Sequence, residues 1–340
     1  MWKNIKNNLK QILKKKVSSF YHHSLSSKFD EIMQDYKNIE YGAALNPVDA
    51  FFAYRLLLGR NPNLVNELPY LLSNNTLTFR EFLNNLIESE EFSNNPGFLP
   101  PNKTLMAEIE GFRFWFNSSD REMGVRMALG WYEPASVEFI KGMIKPGMVC
   151  IDAGANTGFY TCLMAARGAF VYAFEPMPKN YDLLIKNIAE NSYQQNVQTY
   201  QMACSDVKKS ISGSMVSNMY IATDVDTGDK ITMEAVAVDD IVKSPVNLIK
   251  IDIEGHEPQA IQGMRQIISD DKPIIISEIN EYWLRKCSGL GGNEYVQILT
   301  DFGYEVFNVS DLKNPLKPKA FNLDILDTMD IVAFHKERSY

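Results

Sequence analysis

The stretch Val149-Cys150-Ile151-Asp152-Ala153-Gly154-Ala155-Asn156-Thr157-Gly158 decides the fold. An apolar run ends in a glycine-rich turn, and a helix is predicted from Phe159 onward. Glycine lets the backbone come close to a ligand, and open α/β sheets bind ligands beyond the carboxyl ends of their strands. Working outward, apolar runs at 170–174, 198–203, 247–253, 273–279, 304–309 and 330–335 read as strands. The stretches 176–191, 257–268 and 293–302 read as helices. Strands separated by helices imply right-handed crossovers and a mostly parallel sheet. Near-continuous apolar strands imply that both faces are covered. A further strand-like piece over 232–238 leads into Asp239-Asp240, and 310–325 reads as a loop.

The turn can serve a dinucleotide or a cationic cofactor. A dinucleotide cradle needs G-x-G-x-x-G, whereas here the glycines stand at 154 and 158 with Asn at 156. Asp152 brings negative charge to the turn, which repels phosphate. It suits S-adenosylmethionine (SAM), which carries an ammonium and a sulfonium. Glu175 ends the run VYAFE one strand later, where an acid accepts ribose hydroxyls. Ser205 and Asp206 follow the third strand; Asp206 is either an Asx-turn residue or an acceptor for the adenine amine. The run Lys250-Ile251-Asp252-Ile253-Glu254-Gly255-His256-Glu257 gathers ionisable groups where the sheet opens onto the ligand.

His256 is the histidine predicted at a ligand-facing strand end, and its ordinary pKa suits a general base. Its other reading is a cap for the helix after Gly255. The alternative chemistry is a divalent metal on the oxygens of Asp252, Glu278 and Asn280. Against that, Glu278 and Asn280 can simply hydrogen-bond the substrate. Acceptor selection is expected from 112–116 (FRFWF) with Tyr132 and Glu133, from Tyr282–Gly292, and from 310–325. Aromatic side chains stack on sugar faces but also fill cores.

Composition sets the outer bounds. The 340 residues are 45% apolar and 22% charged, which excludes a disordered chain. The net charge is 34 − 42 = −8, yet residues 1–29 hold seven lysines and no acid. The rest therefore carries −8 − 7 = −15, and an acidic body excludes nucleic acid as the main partner. In residues 2–16, Trp2, Ile5, Leu9, Ile12 and Leu13 share one helical face. Such a basic amphipathic segment can lie on an anionic membrane or dock on protein. No apolar run of about 18 residues and no leader is read. Four dispersed cysteines without a CxxC pair fit a reducing compartment. The expected location is cytoplasmic, with peripheral contact at the inner face of the membrane through residues 2–16.

Residues 46–95 read as an all-helical module. Asn46-Pro47 starts one helix, and Thr78 with Glu81 forms a capping box for another. The Pro- and Asn-rich stretch 94–101 is a linker. The expected domains are 1–29, 30–100 and 101–340. The texture YRLLLGRNPN…LTFREFLNNLIESEEF resembles a helical domain of unknown function found beside glycan-modifying enzymes, although Asn63 stands where that family usually has an acid.

The stretches GWYEP (130–134), VCIDAGANTGFYT (149–161), VYAFEPMPKNYDLLIKNI (171–188), MACSD (202–206), AVAVDDI (235–241), LIKIDIEGHEPQAIQGM (248–264) and IISEIN (275–280) together resemble the FkbM family of SAM-dependent methyltransferases. The departures are Ala153 for the usual valine and Thr157 for the usual isoleucine. The resemblance implies an α/β, Rossmann-like sheet of seven strands, mostly parallel, with the last antiparallel, beside the N-terminal all-helical module. It implies SAM held by Asp152, Gly154, Ala155, Asn156 and Gly158, with Glu175 and Pro176 at the ribose. Ser205 and Asp206 flank adenine, and Asp252 stands at the methyl-transfer end with Glu254, His256 and Glu257; Glu278, read from the end of the adjacent strand, is expected beside them as a catalytic residue. The implied reaction is O-methylation of a hydroxyl on a sugar or glycoconjugate precursor. The alternatives are a lipid or polyketide-type hydroxyl, or a catalytically silent scaffold.

Overall fold

The computed structural model describes Tyr54, Phe82, Asn85, Leu86, Ser89 and residues 103–120, 123–130, 132–216, 219–221, 230–318 and 328–338. The amphipathic segment 2–16, the Asn46-Pro47 start, the Thr78 capping box and the 94–101 linker lie outside the described residues. Two compact units divide the chain. One comprises Met1–Ala107 and Asn117–Leu129, the other Glu108–Phe116 and Gly130–Tyr340. Within the first, the buried Phe82 ring lies 5.8 Å from that of Tyr54.

The elements run in chain order as β1 (Thr104–Ile109), β2 (Phe112–Asn117), α1 (Gly124–Leu129), α2 (Pro134–Met143), β3 (Val149–Ala153), α3 (Phe159–Ala165), β4 (Phe170–Phe174) and α4 (Pro178–Glu190). Then follow β5 (Val197–Tyr200), β6 (Ala203–Cys204), β7 (Lys209–Val216), β8 (Met219–Ile221), β9 (Lys230–Val236), α5 (Val238–Ile241) and β10 (Leu248–Ile251). The last are α6 (Glu257–Gly263), α7 (Arg265–Asp271), β11 (Ile274–Asn280), α8 (Glu281–Ser288), α9 (Gly292–Asp301), β12 (Tyr304–Asn308), β13 (Asp311–Leu316) and β14 (Thr328–His335).

The large sheet has the order β13-β12-β14-β11-β10-β3-β4-β5. The pairs β11–β10, β10–β3, β3–β4 and β4–β5 are parallel, and β14 runs antiparallel to both β11 and β12. The expected antiparallel last strand is therefore present, inserted between two others. Among the described residues the sheet has eight strands rather than seven. The extra one, β13, occupies 311–316, where a loop was expected. Its sequence DLKNPL is mostly exposed and lacks apolar alternation, so it carries no period-two signal. It lies at the sheet edge, where proline is tolerated.

Two other expected elements split. The run 198–203 becomes β5 in the large sheet and β6 in a second, four-stranded sheet of order β6-β9-β7-β8. The piece expected at 232–238 is β9 of that second sheet. The helix expected at 257–268 breaks at Met264 into α6 and α7. Ile151, Ile249, Ile251, Ile275, Ile261 and Ile268 are fully buried and form the centre of the core between sheet and helices. FRFWF is β2. Phe112, Phe114 and Phe116 alternate inward and are buried, so three of its aromatics fill the core instead of awaiting an acceptor. No helix among the described residues is long and apolar enough to cross a membrane.

Candidate active site

The glycine-rich turn leaves β3 at its carboxyl end. Gly154 and Ala155 donate their N–H groups to the Phe174 carbonyl at 3.0 and 2.9 Å, which ties the turn to β4. Gly154 has φ +87°, and a Cβ there would stand 1.9 Å from the Asp252 carbonyl oxygen, so only glycine fits. Asn156 has φ 49°, a left-handed conformation that asparagine tolerates. Asp152 is 1% exposed. Its Oδ2 accepts the Thr161 hydroxyl at 2.5 Å, tying β3 to α3. Burial pushes Asp152 up to about 6, against the Thr161 bond and the Lys250 charge. Asp152 thus acts near the turn through its field and its tie, with its carboxyl packed away from solvent.

Glu175 is buried just past β4. Its Oε2 accepts the Asn156 N–H at 2.8 Å, and its Oε1 accepts the Met177 N–H at 2.9 Å. Burial still pushes it up to about 7. The Asn180 side chain bonds the same carboxylate, which leaves it one acceptor site for a hydroxyl. Ala155 is buried and Pro176 half-buried at the same place.

Ser205 and His256 form a pair. Ser205 Oγ donates to Asp206 Oδ1 at 2.9 Å and lies 2.9 Å from His256 Nε2. With the serine proton committed to Asp206, Nε2 is the donor and Nδ1 stays unprotonated. Lys209 Nζ also holds Asp206 Oδ1, at 2.6 Å. The Lys209 bond keeps Asp206 well below the ordinary carboxylate range. Burial, reinforced by the Lys209 charge and opposed by Asp206, pushes His256 down to about 4. The expected base is therefore neutral and weakly basic, and it is held against Ser205. It also stands at the N-cap position of α6, though its side chain makes no cap bond.

The acids gather around Lys250 instead. Lys250 is 2% exposed on β10, in register with Asp152 of β3. Its Nζ lies 3.1 Å from Asp252 Oδ2 and 4.9 Å from the centre of the Tyr160 ring. Burial alone lowers an ammonium pKa. The carboxylates of Asp252, Glu133, Asp330 and Asp152 more than reverse that, and Lys250 is held above its ordinary value. Glu278 of β11 is in register with Asp330 of β14, whose Oδ2 accepts the Ser136 hydroxyl at 2.5 Å. Burial, with Asp252 and Glu254 nearby, pushes Glu278 up to about 10. Burial, with Asp252 and Glu257, pushes Glu254 up to about 8. Glu257 is buried; its Oε1 accepts the N–H groups of Ile253 and Gly255, both at 3.1 Å, which shapes the turn after β10.

Glu133 joins this cluster from the turn before α2. Its φ is 38°, an uncommon strained conformation for a glutamate. Its carboxylate accepts the Tyr160 hydroxyl at 2.6 Å and also the Tyr132 hydroxyl. Burial pushes it up to about 7. Asn280 is committed elsewhere: its Oδ1 caps α8 by accepting the Trp283 N–H at 3.2 Å. Among the described residues no three His, Cys, Asp or Glu side chains are arranged to hold a metal. Sequence reasoning missed Asp330 and gave Lys250 no separate role. Asp330 carries no local signal, because only the strand register brings it to the cluster, whereas Lys250 stood in the charged run without its burial being visible.

Residues 152–306, which span the turn, Glu175 and this cluster, match the family described as the Methyltransferase FkbM domain. This segment is similar to the FkbM methyltransferase domain. The hexuronic acid methyltransferase AglP of Haloferax volcanii is 25% identical over 178 residues, covering 51% of this chain and 73% of that protein. A solved methyltransferase FkbM from Methylobacillus flagellatus aligns at 17% identity with a TM-score of 0.38, over 61% of this chain. The chain spans about half the length of that protein, 53%. A solved putative methyltransferase from Streptococcus mutans in complex with SAH aligns at 12% identity and TM-score 0.39, over 59% of this chain and 96% of that one. The matched segment contains every residue of this site except Tyr132, Glu133, Ser136 and Asp330.

Proposed function

We propose that this protein is a SAM-dependent O-methyltransferase whose acceptor is a hydroxyl of a sugar or glycoconjugate precursor. The observation that carries this reading is the pairing of a glycine turn tied to Glu175 with a ring of carboxyls around buried Lys250. The donor set fits SAM. Glu175 offers its remaining acceptor site to a ribose hydroxyl, the surrounding acids favour a cation, and Asn156 stands where a pyrophosphate cradle would need glycine. When bound, SAM supplies an electrophilic methyl group on its sulfonium.

The chain's own residues do the rest. Gly154 and Asn156 let the backbone approach the cofactor, Glu175 and Pro176 hold the ribose, and Ser205 with Asp206 flanks adenine. An alcohol reacts only as its proton leaves, so a base within hydrogen-bond reach is needed. The carboxylates of Asp252 and Glu133 supply it in this reading, Glu133 being poised near neutrality. Glu278, held neutral at pH 7, donates a hydrogen bond to the acceptor. His256 supports Ser205 on the adenine side. A sugar acceptor is favoured by the relative that acts on a hexuronic acid. The basic stripe of residues 2–16 brings a cytoplasmic enzyme to an anionic membrane surface, where each lysine contributes about 1 kcal/mol. Calorimetry with SAM and SAH, followed by transfer of labelled methyl to neutral sugars, hexuronates and lipid alcohols, tests the reading. A chain that binds neither cofactor form refutes it.

A further inference from the structure

The face of α4 turned toward β2 does something that neither the cofactor site nor the core requires. Asn187 and Asn191, one helical turn apart, present their amides to alternate residues of β2. Asn191 Oδ1 accepts the Arg113 N–H at 2.7 Å, and its Nδ2 donates to the Arg113 carbonyl at 2.7 Å. Asn187 Oδ1 accepts the Trp115 N–H at 2.5 Å, and its Nδ2 donates to the Trp115 carbonyl at 3.0 Å. Two side-chain amides thus replace the neighbouring strand that an edge strand lacks. Glu190 adds bonds to the Trp115 indole N–H and the Arg113 guanidinium, both at 3.1 Å, and Lys186 Nζ lies 3.6 Å from the Trp115 ring centre.

Asn187 goes one step further. Its second Nδ2 proton is donated to the Thr157 carbonyl at 2.7 Å, inside the cofactor turn. The side chain is fully buried, so both donors are in use and neither is shared with solvent. Thr157 is itself buried, and its Oγ1 has no hydrogen-bond partner. On its other face β2 meets the residue that follows the turn: the Phe112 and Phe114 rings lie 5.8 and 5.7 Å from that of Phe159. β2 therefore grips Thr157–Gly158–Phe159 from two sides.

We propose that β2 is a strap that holds the cofactor turn in its binding shape, and that Asn187 is the positioning residue through which it acts. The inference rests on the reading of that turn as the SAM site. The strap gives the turn a fixed carbonyl at Thr157 while Gly154 and Gly158 supply the left-handed backbone. A turn already shaped before the cofactor arrives loses less conformational freedom on binding.

The test uses the full chain with SAH as the calorimetric probe, and hydrogen exchange of the Gly158 and Phe159 amides as a second readout. Asn187→Asp keeps the acceptor for Trp115 and removes both donors. It weakens SAH binding at least tenfold and speeds exchange at Gly158 and Phe159. Asn187→Ser, which buries no charge, does the same if the aspartate variant fails to fold. Asn191→Asp cuts the other end of the strap without touching the turn, and leaves SAH affinity within threefold. A folded Asn187 variant with unchanged SAH affinity and unchanged exchange overturns the strap. So does an Asn191 variant that weakens SAH equally, because a merely structural loss moves both alike. Wild-type protein that fails to bind SAH removes the cofactor reading itself, and the exchange data then judge the strap separately.

Discussion

Replacing Lys250 with Met tests whether the acid cluster depends on its buried cation. The side chain is 2% exposed and is paired with Asp252 at 3.1 Å. Asp252, Glu133, Asp330 and Asp152 all act on it. Methionine nearly conserves the volume, so no large cavity forms, and the loss is electrostatic. Removing one partner of a buried pair costs about 3–5 kcal/mol, because the other charge is left uncompensated. For a domain of this size that corresponds to about 6–20 °C in Tm. The sign of the pH dependence follows from the raised carboxyls. Glu133, Glu254 and Glu278 stand at about 7, 8 and 10, above their unfolded values. The folded state therefore binds more protons than the unfolded state, and these groups lose stability as pH rises from about 4.5 through those values. Lys250 is fully charged throughout that range and offsets the loss. Lys250→Met therefore has a larger deficit near pH 8, where Glu133 is ionised and Glu254 partly so, than near pH 5.5, where both are neutral. Urea or thermal unfolding of both proteins at the two pH values measures this. A deficit that is absent at pH 8, or equal at both pH values, refutes the account of Lys250 as the counter-charge.

The other predictions are more local. Glu175→Ala weakens SAM and SAH binding by about tenfold or more, the loss of a charge-assisted bond to a ribose hydroxyl; calorimetry reads it. In the wild type, Glu175 at about 7 makes SAH affinity fall as pH drops from 8 to 6, a slope that vanishes in Glu175→Ala. Gly154→Ala drives a Cβ to 1.9 Å from the Asp252 carbonyl, so the variant loses SAH binding or folds poorly, as circular dichroism and calorimetry together report. His256→Ala leaves the maximal rate within about threefold on any acceptor the wild type takes, whereas loss of a general base costs 10²–10⁴-fold; a fall of that size restores the histidine to the role of base. A chain lacking residues 1–29 keeps its SAH affinity and no longer sediments with anionic liposomes, and equal sedimentation of both proteins removes the membrane assignment.

What the sequence determined was the part written in local pattern. The run from Val149 to Gly158 defines a strand, a turn and a helix through contacts within ten residues, and Glu175 follows from one further crossover. The α/β class was legible for the same reason, because apolar runs persist wherever a strand is buried on both faces, whereas the antiparallel direction of β14 was implied only by the family resemblance. The exposed β13 was not, since an edge strand needs no apolar pattern to pair. The acid cluster was legible only along β10. Glu278 and Asp330 lie 52 positions apart and meet through antiparallel register, and Glu133 joins them from a strained turn. His256 looked like a base because a sequence shows residue types but not burial. The fold placed it against Ser205, removed its solvation and pushed its pKa down to about 4. Charge state is a property of surroundings, and those surroundings are assembled by strand register and helix packing, which only the tertiary structure fixes.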